Sequence, residues 1–241
     1  MNRHWSPLVS GVYVIVMFLC SGLVVSEPAS AGSTEELLEG LWEYTGLTTS
    51  SGDELPLTGV FLFKDSVFVQ QAVFDGDPFD QQGAMAHAGP YSPESEAVRL
   101  VAEQTISISP DNSLPLSFRK NTQHEVSVTR SGEELTLVFG SGTVQEFRRI
   151  GSGRGELYAL QDGALAFVDG YFILVQGDEQ AVITGYGTFD KKGDKLQLNV
   201  IRWAEASDSH TMNQRDVVME ATFDGQLFTL ADGRSFRVLP Q

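Results

Sequence analysis

Few side chains in this sequence are suited to chemistry at neutral pH. Outside the first 31 residues the histidines are His87, His124 and His210. No two of them stand at metal-ligand spacing. His124-Glu125 lacks the second histidine of a zinc-protease helix, and it lies in a strand-like run. No Gly-x-Ser-x-Gly elbow is present, and no glycine-rich phosphate loop opens a helix. No metal and no cofactor is therefore expected. Asp75-Gly-Asp77-Pro-Phe-Asp80 gathers three carboxylates but lacks the rest of a calcium-binding loop, so it reads as a solvated loop tip.

His87 is the polar residue of most interest. It stands between Ala86 and Ala88, where a side chain could enter a cavity, with Tyr91, Arg99 and Arg119 nearby in sequence. One reading is a satisfied barrel histidine or a solvent-facing one. The other has it orient a ligand carbonyl or carboxylate, or serve as an acid/base. The second half offers Tyr171, Tyr186, Arg202, Trp203, His210 and Arg215. Arg202 and Trp203 alternate on one strand, so only one of them can line a cavity. His210 lies in a polar stretch, Ala204–Gln214, read as a solvent-facing loop.

These residues are carried by a chain of 241 residues with 32 acidic and 16 basic side chains, a net charge of -16. That balance excludes a nucleic-acid binder and disfavours adsorption to an anionic membrane. The first 31 residues read as an export signal: Arg3 and His4, an apolar run from Val12 to Val25, then the small-x-small site Ala29-Ser30-Ala31. The expectation is cleavage after Ala31 and a periplasmic or secreted protein with no stable membrane insertion. The alternative is an uncleaved anchor, since Leu8–Val25 is just long enough to span a bilayer. Cys20, the only cysteine, falls in this segment behind residues too bulky for a lipidation site. A cleaved chain then has no disulfide and no thiolate.

From Leu37 onward helical periodicity is almost absent; Glu35–Glu39 could form one turn. Short β-branched and aromatic runs follow, such as 60–63, 125–129 and 135–139, punctuated by Gly, Asp and Asn. The pattern occurs twice. Gly59-Val-Phe-Leu-Phe-Lys-Asp-Ser-Val-Phe68 matches Gly163-Ala-Leu-Ala-Phe-Val-Asp-Gly-Tyr-Phe172. Ala86–Tyr91 matches Thr184–Phe189, and the ends near Phe147 and Phe236 correspond. The reading is residues 32–150 as one domain, a short linker at 151–155, and 156–241 as a second. Residues 32–150 hold 18 acidic and 7 basic side chains, and residues 151–241 hold 13 and 8.

Gly40-Leu-Trp42, the hairpin 59–68, His87-Ala-Gly-x-Tyr91, the strand 132–137 and the basic end Phe147-Arg148-Arg149 together resemble bacterial lipocalin-like, calycin-type domains. The resemblance covers about 38–150 and, more weakly, 155–239, where no Gly-x-Trp opens the copy. It implies an all-β fold of two tandem antiparallel eight-stranded barrels, each closed at one end; the alternative is one larger joint barrel. It also implies that Trp42 packs across the closed end with Arg148 or Arg149 laid on it, a structural role.

The function expected is an exported protein, leaning away from an enzyme, that holds a small hydrophobic or amphipathic molecule. His87, Tyr91, Arg99 and Arg119 are its candidate ligand-binding residues. Thr184 or Gly185 falls at the place of His87 in the second copy, which confines a histidine-dependent site to the first barrel. The alternatives are a barrel isomerase or cyclase using His87 or Tyr91, and an acidic interaction module displaying loops such as 75–80. Ligand identity and oligomeric state are not specified by the sequence.

Overall fold

The computed structural model describes residues 34–94 and 97–240. The segment read as an export signal, 1–31, lies outside the described residues. A helical turn, α1 (Thr34–Leu38), leads into β1 (Gly40–Thr48), β2 (Leu57–Lys64), β3 (Val67–Phe74), β4 (Ala84–Pro93), β5 (Val98–Ala102), β6 (Gln104–Ile108), β7 (Leu116–Arg119), β8 (Thr122–Ser131), β9 (Glu134–Phe139) and β10 (Val144–Gly151). The second half comprises β11 (Gly155–Leu160), β12 (Gly163–Val168), β13 (Tyr171–Gly177), β14 (Ala181–Lys192), β15 (Lys195–Ser207), β16 (His210–Gln214), β17 (Val217–Phe223), β18 (Leu227–Leu230) and β19 (Ser235–Arg237).

Each half is an antiparallel eight-stranded barrel, the first closed and the second nearly closed. In barrel 1, β5 and β6 are one strand broken at Glu103, and β7 and β8 one strand broken at Lys120–Asn121. The ring closes where β3 pairs β4 and β10 pairs β1. In barrel 2, β16 and β17 form one broken strand, and a single bridge, Leu160 to Val238, joins the last strand to the first. No strand of one sheet pairs with the other, so a joint larger barrel is not what forms.

The duplication extends to individual turns. Asp65-Ser66 and Asp169-Gly170 turn the matching hairpins with both central residues at positive φ (51° and 61°; 49° and 81°). That geometry follows the right-handed twist of the flanking strands. The two broken strands kink at Asn121 and Asp216, with φ of 56° and 53°; both residue types tolerate this region. The connection between the barrels is three residues long. Asp169 holds it, accepting the Gly153 backbone N–H at 2.6 Å.

Burial separates two kinds of strand. β8 alternates, with its outer face exposed, whereas β2, β3, β12 and β13 are buried on both faces. Their outward residues form a core shared by the two barrels. Val60, Leu62, Val69 and Val73 meet Ala166, Val168, Ile173 and Val175, together with Ala84, Ala86, Ala88, Ala204 and Ala206. The alanines let the two sheets approach closely, and the described residues make one compact unit. Charge is accordingly confined to the remaining outer faces and the loops. One ion pair crosses at the edge of this core, Arg202 to Asp75 at 3.2 Å, with Thr58 Oγ1 accepting from Arg202 as well. A register shift beside Val200 adds a residue to β15, so Ile201 and Arg202 both face barrel 1 and Trp203 enters barrel 2.

Candidate functional site

Barrel 1 is closed at one end by aromatic packing. Trp42 is fully buried and its Nε1 donates to Leu38 O of α1 at 2.7 Å. Arg149 lies over the indole at 5.6 Å and donates to Glu39 O; Arg130, from β8, lies at 5.2 Å. Arg148 points outward to Glu43. Above Trp42, Phe61, Phe63, Phe68, Phe147 and Tyr91 fill the interior. Tyr91 stacks edge-on to Phe63 at 5.3 Å, with its hydroxyl buried. Desolvation, and next the charges of Glu39, Glu35 and Asp65, push that phenol well above its ordinary value.

The other half of the interior is polar. Tyr44 donates to Gln145 Oε1 at 3.0 Å, Gln70 donates its amide to Tyr44, and His87 Nδ1 lies 2.8 Å from Gln70 Oε1. With Gln70 so oriented, Nδ1 carries the proton and Nε2 is an acceptor. The His124 ring stands 6.2 Å from that of His87, edge to face, and Phe139 lies behind His124 at 5.6 Å. Burial, and second the neighbouring His124, lower the His87 pKa from 6.5 to about 4. Burial alone lowers that of His124. At neutral pH neither histidine of the site therefore carries a charge.

Strand register brings these groups together. Gln70 opposes His87, which opposes Thr105, which opposes Arg119, so all four side chains share the inward face. Thr105 Oγ1 is buried without a partner. Arg119 is exposed at the rim, as are the inward-facing Ser107 and Ser117. The wall is also incomplete here. β8 pairs β5 over Thr122–Val126 but pairs β9 only from Val126 onward, which leaves His124 paired on one side. Leu57, Met85, His87, Thr105, His124 and Phe139 all keep partial exposure although they point into the barrel. The interior at this level, here called the chamber, has partly exposed apolar side chains on its wall and polar ones on its floor.

Of the sequence-derived candidates, His87 and Arg119 lie on this chamber. Tyr91, four residues along β4 and roughly 13 Å away, belongs to the closed end. Arg99 faces outward and pairs with Glu94 at 2.6 Å. Tyr44, Gln70, Thr105, His124 and Gln145 were not among the candidates. The signal for one of them was Gln70-Gln71, two amides in an otherwise apolar strand.

Barrel 2 shows what the same architecture does without these groups. The matching hairpins equate Gln70 with Leu174, whose partner is Gly185, and Gly185 in turn opposes Trp203. Where barrel 1 has His87 and Thr105, barrel 2 has Gly185 and Trp203. The indole lies over the glycine so closely that a Cβ there would sit 2.3 Å from it. Trp203 is 1% exposed, and barrel 2 is filled at this level.

No family model, no curated protein and no solved structure matches this chain. The fold defines it as a tandem β-barrel protein.

Proposed function

We propose that the protein is a lipocalin-like carrier acting outside the cytoplasm, and that barrel 1 holds a small apolar or amphipathic molecule. The observation that supports this reading is the contrast at equivalent positions. Trp203 fills barrel 2 over Gly185, whereas His87 and Thr105, at the matching places in barrel 1, keep partial exposure. Affinity comes from burying the ligand's apolar part against Leu57, Met85 and Phe139. Orientation comes from His87 Nε2. Tyr44, Gln70 and Gln145 hold His87 in place, so a ligand group meets an acceptor that is already positioned.

Titration with the neutral fluorophore N-phenyl-1-naphthylamine tests this, with native mass spectrometry of the gently purified protein alongside. Saturable fluorescence enhancement, reversed by long-chain alcohols or fatty acids, is the expected result. No enhancement and no copurified small molecule would remove the proposal.

A further inference from the structure

The mouth of barrel 2 carries a second group of polar and apolar side chains, separate from the chamber of barrel 1. Glu205, on β15 two residues beyond Trp203, accepts the Trp203 Nε1–H at 2.6 Å. From the turn between β18 and β19, Arg234 reaches across and binds Glu205 with two hydrogen bonds, 2.8 and 2.9 Å. This pair divides the mouth into two pockets, and both of its residues line each of them. One pocket, of about 390 Å³, carries Met212, Val217 and Met219. The other, of about 330 Å³, carries Ile183 and Phe236.

Each pocket is also lined by a glutamine whose buried Oε1 has no partner among the described residues, Gln214 in the first and Gln176 in the second. Unpaired acceptors in a desolvated site call for a donor. The charges select the same kind of group. Arg234 is already engaged by Glu205 and by Asp232. Asp178 and Glu220 add two further carboxylates, and the only other basic side chain on the pockets is the exposed His210. An anion would meet an excess of negative charge here, and a cation would be drawn in.

We infer that the mouth of barrel 2 binds a small amphipathic amine. Its ammonium sits at Glu205 within reach of an orphan amide oxygen, and its apolar part lies against Met212, Val217 and Met219. Methionines suit this role because their unbranched side chains adapt to varied shapes.

Isothermal titration calorimetry of the full chain at pH 7 tests the inference with 2-phenylethylamine, 2-phenylethanol and 3-phenylpropionate. The amine is expected to bind about tenfold or more tighter than the alcohol, and the carboxylate not measurably. Glu205→Gln and, separately, Gln214→Leu should each weaken the amine by about tenfold with the near-ultraviolet circular dichroism retained. The Gln214 variant keeps the test decisive if loss of Glu205 disturbs the fold. Changes in the chamber of barrel 1 should leave amine binding unaltered. Carboxylate binding equal to amine binding, no heat with millimolar amine, or indifference to both variants would each overturn the inference.

Discussion

Acid should destabilise this protein through His87 in a way that one substitution can isolate. Its folded-state pKa of about 4 lies below the ordinary 6.5. Between those values the unfolded chain binds a proton that the folded chain refuses. Stability from a neutral His87 is therefore fully present above pH 6.5, falls as the pH drops toward 4, and is flat below that. The interval corresponds to roughly 2–3 kcal/mol, most of it between pH 7.5 and 4.5. His87→Gln keeps a partner for Gln70 but cannot titrate. Urea unfolding of both proteins at the two pH values gives the comparison. His124 and the carboxylates remain in both proteins and largely cancel. The wild type should lose roughly 2–3 kcal/mol more than the variant, about 1 M in urea midpoint at the slopes expected for this size. Equal losses would show that His87 is not held neutral by burial, and the polar floor of the chamber would need another description.

Three further outcomes follow from the packing. Ala166→Leu should overfill the core between the barrels and cost about 1–3 kcal/mol in thermal or urea unfolding. Gln71, fully buried with neither amide atom partnered, should behave in the opposite sense. Gln71→Leu is expected to stabilise by about 1–2 kcal/mol, because it removes an uncompensated desolvation. Arg149→Ala should cost about 1–2 kcal/mol by taking both the cation over Trp42 and the bond to Glu39 O, whereas Arg148→Ala, a surface pair, should change stability by about 0.5 kcal/mol or less.

The local features of the fold were readable because local chemistry determines them. Asp-Ser and Asp-Gly at matched positions announce two equivalent hairpins, and Gly40-Leu-Trp42 marks the closed end. What the sequence withheld depends on distant partners. The apolar runs at 57–64 and 163–168 read as strands, but nothing local says that both faces are buried or which outer face meets the other barrel. Strict alternation left open whether Arg202 or Trp203 turns inward. The answer came from an extra residue in β15, whose effect depends on the register with β14. His87 was legible as an interior polar residue. Its partners Gln70 and Thr105 lie on neighbouring strands and are identified only by pairing, and Tyr44 and Gln145 lie farther still. Arg99 illustrates the converse: near His87 in sequence, it faces away from the barrel interior.

The central claim is that two residues decide whether a barrel of this design is open or filled. The double variant His87→Gly with Thr105→Trp places in barrel 1 the pair that closes barrel 2. Its affinity for N-phenyl-1-naphthylamine, measured with the circular dichroism spectrum intact, should fall by about a hundredfold or more as the indole takes the ligand's space. Wild-type affinity in that folded variant would contradict the account and place the ligand, if any, outside the chamber.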